Sequence, residues 1–446
     1  MFQKILKNYY DLVLVLLCVS GHSFATNPNT VIGIVTDENP ATFNEPSNAA
    51  IFPNGQTMYV ANYASSTVSI VDLATNTVTG IVTDTGTIHN PYGISFVPNG
   101  EIAYVINSSN NSISIIDTAT HTVTGVINTT AAALDDPLYM AVTAAGTTGY
   151  VANGNNANIT VVDLTTNATT QNIVLPNPYS TNIIITPDGT HAYVSTYYNG
   201  VYILDITNNT VSGSVASGTF NYPYAMAITA DGSKLYVSNF YGNTVSVVDT
   251  ATNTQTGLVT DLNPATFFYP YGMAISLDGS TLYVTNYGGN SVSVVNIATN
   301  AVTGKVTDLN PATFDGPDTM VITSNGEYGY VPNQGNSSVS IVFIATPISP
   351  PANASGCQSS DIFLLQQDLV NILTWSAPTS GTAPVSYKIY RDAGLTDLVA
   401  TVPATSALKF VDHNRVANVT YTYYLVSVDS QGDASSAVEV IVNAPC

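Results

Sequence analysis

Residues 281–296 of the 446-residue chain read TLYVTNYGGNSVSVVN. The segment holds two β-forming runs, the first ending in Tyr-Val-Thr-Asn and the second alternating Ser with Val, and Tyr-Gly-Gly-Asn stands between them. Alternation of apolar and polar side chains is typical of a β-strand, and Gly-rich connections are typical of turns. The segment therefore predicts two adjacent antiparallel strands.

The tetrad in this segment recurs along the chain. Six copies read Tyr-Val-x-Asn, one reads Tyr-Val-Ser-Thr, and successive copies begin 43 to 47 residues apart. They begin at Tyr59, Tyr104, Tyr150, Tyr193, Tyr236, Tyr283 and Tyr330. A period of this length matches one four-stranded blade of a β-propeller. Seven copies predict an all-β, seven-bladed ring.

Each period divides into four short β segments, which we call a, b, c and d from the central axis outwards. In the sixth period they are predicted at 272–276, 282–286, 291–295 and 301–306. The seventh period has no d segment of its own, but residues 30–35 nearly copy the first d segment at 77–82. We expect this N-terminal strand to pair with the seventh c strand, because closing the ring limits exposed sheet edge.

Residues 30–346 resemble the YVTN family of β-propellers, on the seven tetrads and on c strands such as Ser-Val-Ser-Val-Val. The resemblance implies the seven-bladed fold. The family includes secreted and surface-layer-type proteins, and related seven-bladed folds include lactonases and redox domains. The resemblance therefore leaves the function open.

The N-terminus predicts export. Residues 1–25 read as a signal peptide, with Lys4 and Lys7 before the apolar run 12–19 and small residues before an expected cleavage after Ala25. The run is too short to span roughly 30 Å of hydrocarbon. We expect a secreted or cell-surface protein with no transmembrane segment in the mature chain, whose propeller occupies residues 26–346.

The C-terminal part predicts a second domain. Residues 347–356 form a Pro/Ala/Ser-rich linker, and 357–446 predict a β-sandwich of short strands. This domain resembles fibronectin type III modules around Trp375, at 387–391 and at 421–429. The resemblance implies that Trp375 is a core residue and that Tyr421 is the tyrosine-corner residue.

Two cysteines bracket this second domain. Cys357 and Cys446 are the cysteines that remain after cleavage of the signal peptide. An exported protein enters an oxidising compartment, so the pair predicts a disulfide, with two free thiols as the alternative.

Charge excludes several classes of partner. Charged residues make up 8% of the chain, against about 25% in average proteins, and the formal net charge is −21. Between residues 26 and 346 the basic side chains are Lys234 and Lys305. Such a surface repels phosphate backbones and anionic lipids, so neither nucleic acid nor an anionic membrane is an expected partner.

Candidate catalytic and metal-binding groups do not converge within the repeat. The four mature histidines fall at unrelated positions: His89 in a d–a loop, His121 in a c–d turn, His191 at the start of a b strand and His413 in the sandwich. Zinc, phosphate-loop and haem motifs are missing from the sequence.

Five c strands end in Asp and the sixth in Asn: Asp72, Asp117, Asp163, Asp205, Asp249 and Asn296. We interpret these as turn caps and not as metal ligands, because Asp and Asn side chains bond the backbone of such turns.

One face of the ring carries the long d–a and b–c loops, which we call the loop face. These loops are rich in Tyr and Asn and contain no Lys or Arg. Aromatic rings beside amides suit sugars or extended peptides. The candidate ligand-binding residues are Tyr92, Tyr139, Tyr179, Tyr224 and Tyr271 around the channel mouth, and Tyr63, Tyr241 and Tyr287 in b–c loops. The alternative is that these side chains only pack and cap the blades.

These observations favour an exported binding or adhesion protein, whose loop face engages an extracellular glycan or protein, over an enzyme. The alternatives are a lactonase-like hydrolase, using loop-face carboxylates and His89, or a structural surface-layer component. No cofactor is expected. Acids of the d–a loops, among them Asp135, Asp136, Asp261 and Asp308, could bind a basic partner or Ca²⁺.

Overall fold

The structure is a computed structural model. It describes residues 28–36, 42–84, 86–128, 133–198, 200–216, 218–261, 266–308, 313–344, 350–363, 366–378, 384–413, 415–416, 419–428, 434–435, 437–443 and 445–446. The predicted signal peptide lies outside the described residues. The chain divides into two compact units, 1–345 and 346–446.

The first unit consists of seven four-stranded antiparallel sheets, the blades. Blade 1 contains β2 (Pro46–Ile51), β3 (Thr57–Asn62), β4 (Thr67–Asp72) and β5 (Thr77–Ile81). Blade 2 contains β6 (Pro91–Phe96), β7 (Ile102–Asn107), β8 (Ser112–Asp117) and β9 (Thr122–Asn128). Blade 3 contains β10 (Pro137–Val142), β11 (Thr148–Asn153), β12 (Asn158–Asp163) and β13 (Ala168–Val174).

The next three blades repeat this order. Blade 4 contains β14 (Ser180–Ile185), β15 (His191–Thr196), β16 (Gly200–Asp205) and β17 (Thr210–Ser214). Blade 5 contains β18 (Pro223–Ile228), β19 (Lys234–Asn239), β20 (Thr244–Asp249) and β21 (Thr254–Leu258). Blade 6 contains β22 (Pro270–Ile275), β23 (Thr281–Asn286), β24 (Ser291–Asn296) and β25 (Ala301–Lys305). The predicted segments of this sixth period agree with these bounds to within two residues.

The seventh blade closes the ring. It takes β26 (Val321–Ile322), β27 (Tyr328–Asn333) and β28 (Ser338–Phe343) from one end of the unit and β1 (Thr30–Ile34) from the other. β1 pairs antiparallel with β28, with Thr30 opposite Phe343 and Ile34 opposite Ser340. The predicted closure by the N-terminal strand is confirmed.

The core of the propeller lies between neighbouring blades. Residues of the b and c strands are almost fully buried, whereas the outer d strands alternate between partly buried and exposed positions. One hydrophobic cluster joins Tyr59 and Val68 of blade 1 to Val105 and Ile116 of blade 2. Apolar burial between blades therefore holds each sheet to the next.

The tetrad tyrosines join blades that adjoin in the ring. Six of them reach the c–d turn of the next blade, and Tyr283 reaches Asn29, directly before β1. All seven partners have a left-handed backbone conformation. Six of the partners are Asn residues whose Oδ1 accepts the hydroxyl proton, and the seventh hydrogen bond joins the Tyr59 hydroxyl to His121 Nδ1. The pairs are Tyr59–His121, Tyr104–Asn167, Tyr150–Asn209, Tyr193–Asn253, Tyr236–Asn300, Tyr283–Asn29 and Tyr330–Asn76, at 2.6 to 2.9 Å. This repeated bond accounts for the Tyr of the tetrad.

The tetrad asparagines act within one blade. The Asn62 amide donates to Ser69 Oγ on the adjoining c strand at 2.8 Å, and the Asn107 amide donates to Ser114 Oγ at 2.9 Å. Asn107 Oδ1 also accepts the backbone N–H of His89 in the d–a loop at 3.1 Å. Asn153 and Asn239 accept a d–a loop N–H in the same way, so the tetrad Asn ties a loop to the sheet in blades 2, 3 and 5.

The second unit contains two antiparallel sheets that share one core. Their strands are β29 (Ala352–Phe363), β30 (Gln366–Ser376), β31 (Ser386–Tyr390), β32 (Leu398–Pro403), β33 (Lys409–Asp412), β34 (Tyr421–Val428) and β35 (Val438–Val442). The sheet orders are β29-β30-β33 and β32-β31-β34-β35. β29 begins at Ala352, inside the segment that the sequence assigned to the linker.

Trp375 is buried in the core of this unit, as expected. The Tyr421 hydroxyl accepts the backbone N–H of Val416 at 3.0 Å, a bond of the tyrosine-corner type. Cys357 and Cys446 form a disulfide with 4.9 Å between their Cα atoms, as predicted.

Within the described chain, no helix has the length and apolarity that crossing a membrane requires.

Candidate functional site

The site lies where the innermost strands begin, on the loop face. In every blade, the residue that pairs with the last position of the tetrad marks the start of the a strand. In five blades the next residue contacts other tyrosines across the channel or the backbone of the next blade. These seven positions, which we call the mouth positions, hold Ser47, Tyr92, Leu138, Thr181, Tyr224, Tyr271 and Asp318.

Three mouth positions bring tyrosine hydroxyls together across the channel. The Tyr92 hydroxyl bonds to those of Tyr224 and Tyr271, and the last two lie 2.5 Å apart. Burial raises the pKa of all three phenols, so they remain neutral over the physiological range. Tyrosines from blades 2, 5 and 6 thus meet at one point.

Further predicted residues surround this triad. The ring of Tyr92 lies 5.6 Å from Tyr139 and 6.3 Å from Tyr63, and the ring of Tyr271 lies 5.6 Å from Tyr287. Tyr139 stands one residue after a mouth position, on the register of β10. Six of the eight predicted tyrosines therefore form one group at the channel mouth.

The other two predicted tyrosines lie outside that group. The ring of Tyr179 packs on Tyr198 at 5.3 Å, and Tyr241 packs on Tyr222 at 4.5 Å and on Phe240 at 5.0 Å. Phe240 connects Tyr241 to the mouth, because it also contacts Tyr224 and Tyr271.

An aromatic surface of blades 4 to 6 continues outward from the mouth. It consists of Tyr197, Tyr198, Tyr222, Phe240, Tyr241, Phe268 and Tyr269, and we call it the aromatic face. Tyr198, Tyr241 and Phe268 are 53%, 51% and 44% exposed. Tyr269 stacks on both Phe240 and Phe268, with interplanar angles of 18°. Large aromatic side chains thus line up in contact with solvent on the loop face.

Three tyrosines on this side occupy a backbone conformation that disfavours them. Tyr179, Tyr222 and Tyr269, each directly before an a strand, have φ of 68°, 53° and 51°. The equivalent residues elsewhere are Glu45, Asn90, Asp136 and Gly316, and all but Glu45 are of types that adopt this conformation more easily. A bulky residue there costs on the order of 1 kcal/mol. A smaller residue would serve the fold at these positions, so three tyrosines on one side of the ring point to a role of the side chain.

Sequence reasoning missed Asp318. It occupies the mouth position of blade 7, and its side chain is fully buried. Its Oδ2 accepts a 2.6 Å hydrogen bond from the Gln334 amide, and Gln334 Oε1 accepts one from the Tyr287 hydroxyl at 3.2 Å. Burial raises the pKa of Asp318 well above its usual range. The sequence did contain a signal for this residue: Pro317-Asp318 aligns with Pro270-Tyr271 in the repeat, which places Asp318 where the sixth period has a mouth tyrosine.

The predicted turn caps have the expected contacts. Asp72 Oδ1 accepts the backbone N–H groups of Ala74 and Thr75 at 2.8 and 2.9 Å, and Asn296 Oδ1 accepts that of Thr299 at 2.9 Å. Among the described residues, no three His, Cys, Asp or Glu side chains lie together as a metal site.

A cleft of about 370 Å³ lies on the opposite face, between blades 4 and 5. Asp188, His191 and Asp231 are among its lining residues. Both carboxylates already accept several turn hydrogen bonds, and these lower the pKa of Asp231 to about 2. The cleft is therefore explained by turn structure, and the loop face is the stronger candidate.

Comparisons with known proteins agree on the fold. A Kuenenia stuttgartiensis hydrazine synthase chain superposes with a TM-score of 0.60 at 19% identity, covering 73% of this chain and 98% of that one. The β-propeller domain of Cps50 (Swd1) from Myceliophteria thermophila superposes with a TM-score of 0.57 at 13% identity, covering 70% and 99%. At such identities the likeness shows the seven-bladed propeller fold alone.

Sequence comparison covers little of the chain. The protein PE_PGRS18 of the PE-PGRS family, from Mycobacterium tuberculosis, is 52% identical over 44 residues. The match spans 10% of this chain and 9% of that protein. No family profile matches the chain.

Proposed function

We propose that this chain is an exported binding protein that holds an extracellular glycan or protein against its aromatic face. The observation that carries the proposal is the left-handed backbone of Tyr222 and Tyr269 in this face and of Tyr179, which packs on Tyr198. Tyrosine costs stability at these positions, and a smaller residue would serve the fold. The exposure of Tyr198, Tyr241 and Phe268 supports it, because rigid aromatic groups give large contact area at low entropic cost.

Several features support the finer assignment of the two units. The seven tetrads support membership of the YVTN propellers, a family that includes secreted and surface-layer-type proteins. The sheet orders of the second unit, with three strands on one side and four on the other, support a fibronectin type III-like module. Such a module would serve as a spacer or attachment unit, and the disulfide fits an oxidising compartment.

The test is binding of the purified mature protein to an array of glycans and extracellular-matrix proteins. The variant Tyr198→Ala/Tyr241→Ala/Phe268→Ala removes exposed side chains of the aromatic face. The matched control is Leu277→Ala, which removes a side chain that is 64% exposed in an a–b turn on the opposite face. Circular dichroism and thermal melting would establish that both variants fold.

We expect selective binding by the wild type and by Leu277→Ala, with at least tenfold weaker binding by the triple variant. Equal binding by all three proteins would place the ligand elsewhere. Absence of binding by the wild type would count against the proposal and would turn attention to lactone hydrolysis with added Ca²⁺.

A further inference from the structure

Five of the seven mouth positions are filled in two ways, and Leu138 and Asp318 follow neither. Tyr92, Tyr224 and Tyr271 fill the channel, whereas Ser47 and Thr181 bond backbone carbonyl groups of the next blade at 3.0 Å. Leu138 is buried without a polar group to satisfy. Asp318 is the only acid among the seven. A tyrosine at this position would have added a fourth hydroxyl to those of Tyr92, Tyr224 and Tyr271.

The carboxyl group of Asp318 is incompletely paired. Oδ2 accepts from Gln334 at 2.6 Å, but within the described part of the chain Oδ1 is buried and has no hydrogen-bond partner. The neighbouring hydroxyl of Thr319 is likewise buried and unpartnered there. Unpaired buried polar atoms cost folding free energy, and natural proteins keep few of them. Asp318 and Thr319 are adjacent in sequence and Asp318 stands at a mouth position, so a hydrogen-bond donor entering the channel mouth would complete the bonding of Oδ1.

Tyrosines adjoin this carboxyl through its hydrogen-bond partner. Asp318 Oδ2 accepts from Gln334, whose Oε1 accepts from the Tyr287 hydroxyl, and the Tyr287 ring lies 5.6 Å from that of Tyr271. The faces of such rings attract cations, and their hydroxyl oxygens can accept hydrogen bonds from a cation. A carboxylate among tyrosines is therefore a favourable environment for a positive group of small size.

The propeller supplies no such group itself. Its basic side chains between residues 26 and 346 are Lys234 and Lys305. Lys234 lies at the start of β19, at the opposite end of that strand from the tetrad residue Asn239, and Lys305 lies at the end of the outer strand β25. The rest of the surface is acidic and would attract cationic ligands by long-range electrostatics. The complement to Asp318 is therefore not a Lys or Arg side chain of the propeller.

We propose that the channel mouth binds a primary ammonium group of an extracellular glycan, that is, an unacetylated amino sugar. The ammonium donates to Asp318 Oδ1, while neighbouring sugar rings extend from the mouth over Phe240 onto the aromatic face. The inference rests on the proposed function and names the ligand class of the same surface. Binding requires the triad side chains to move, since the hydroxyls of Tyr92, Tyr224 and Tyr271 meet in the channel.

The test compares two matched glycans by isothermal titration calorimetry. One is the β-1,4-linked tetramer of glucosamine and the other is the N-acetylated tetramer, which has the same rings without the cationic groups. The variant Asp318→Asn keeps the shape and removes the carboxylate. The control Asp315→Asn removes one negative charge from the same d–a loop and leaves the mouth position intact. A tetralysine peptide tests a second source of ammonium groups.

We expect the wild type to prefer the glucosamine tetramer at least tenfold, and Asp318→Asn to lose that preference while binding the acetylated tetramer unchanged. Asp315→Asn should retain most of the preference. If Asp318→Asn and Asp315→Asn lose the preference equally, net charge explains it and the inference is overturned. Failure of the wild type to bind the glucosamine tetramer would also overturn the inference. Asp318-dependent binding of tetralysine alone would overturn the amino-sugar assignment.

The aromatic-face variant separates this inference from the proposed function. If the array identifies a ligand that the triple variant loses but Asp318→Asn retains, the proposed function stands and the ammonium site is wrong. If the triple variant binds every ligand as the wild type does, the proposed function fails whatever Asp318 does.

Discussion

Single residues in this chain have roles set by their position in the repeat. A tyrosine that opens a tetrad bonds the next blade, a tyrosine at a mouth position fills the channel, and a tyrosine in an outer loop meets solvent. Composition alone cannot separate these three uses. The hydrogen-bond partners do, and they allow each role to be tested by itself.

The bond between blades should contribute measurably to stability. Tyr236→Phe removes the hydroxyl that donates to Asn300 Oδ1 at 2.6 Å and leaves that acceptor unpaired. We expect a loss of about 0.5–1.5 kcal/mol in the free energy of unfolding, measured in urea. His121→Asn is the control, because it installs the acceptor used by the other six tyrosines. It should change stability by less than about 0.5 kcal/mol. Equal losses in the two variants would refute the role given to this bond.

Asp318 should destabilise the fold at neutral pH. Burial raises its pKa above the ordinary value of 3.8, so the folded state retains a proton that the unfolded chain releases. Below pH 3.8 the carboxyl is protonated in both states and burying it carries no charge penalty. The free energy of unfolding then decreases as the pH rises from 3.8 through the folded-state pKa. Asp318→Asn should therefore be more stable than the wild type at pH 7, with a difference that disappears towards pH 3. Denaturant unfolding across this range checks it, and a difference independent of pH would contradict it.

At the scale of elements, most of the propeller followed from the sequence. The period of the tetrad, the alternation within strands and the copied d segment at 30–35 fixed the blades and the closure, because each is a local pattern repeated in register. The site followed only in part. Tyr92, Tyr224 and Tyr271 share one alignment position and were grouped correctly, whereas Tyr179 stands before its strand and Asp318 differs in residue type. Which side chains from different blades meet in the channel depends on how the whole ring closes, and the sequence of a single blade does not determine that.

The c–d turns should make the propeller sensitive to acid. Turn hydrogen bonds lower the pKa values of Asp72, Asp117, Asp163, Asp205 and Asp249. A carboxylate with a depressed folded-state pKa stabilises above its unfolded value, and that stability is lost as the pH falls through the folded-state pKa. Stability should therefore fall below about pH 4.

Asparagine at these five positions should reduce the acid dependence while keeping the turns, since Asn296 already caps its turn in blade 6. Thermal melting from pH 7 to pH 2 measures the slope for both proteins. The reverse change Asn296→Asp should steepen it. If the thermal midpoint of the variant with five Asp→Asn substitutions depends on pH as steeply as that of the wild type, other groups govern acid unfolding.

On the scale of the whole molecule, ring closure should determine whether the propeller remains a monomer. β1 is the only part of blade 7 that comes from the N-terminal end of the unit, and it covers the edge of β28. Val31 and Val35 are buried, and their backbone N–H groups bond Thr307 and Val339 at 2.9 Å. Burial of two valines contributes roughly 3–6 kcal/mol. Without β1, the apolar strand β28 becomes an open edge.

Removal of residues 1–35 should therefore lower the thermal midpoint and promote association, because an unpaired edge strand recruits strands from other chains. Removal of residues 1–27 leaves β1 in place and is the control. Size-exclusion chromatography with light scattering would report the oligomeric state. A synthetic peptide of residues 28–36 should restore both stability and the monomer by adding the missing strand in trans. A stable monomer after removal of residues 1–35 would mean that apolar contacts between blades hold the ring without the closing strand.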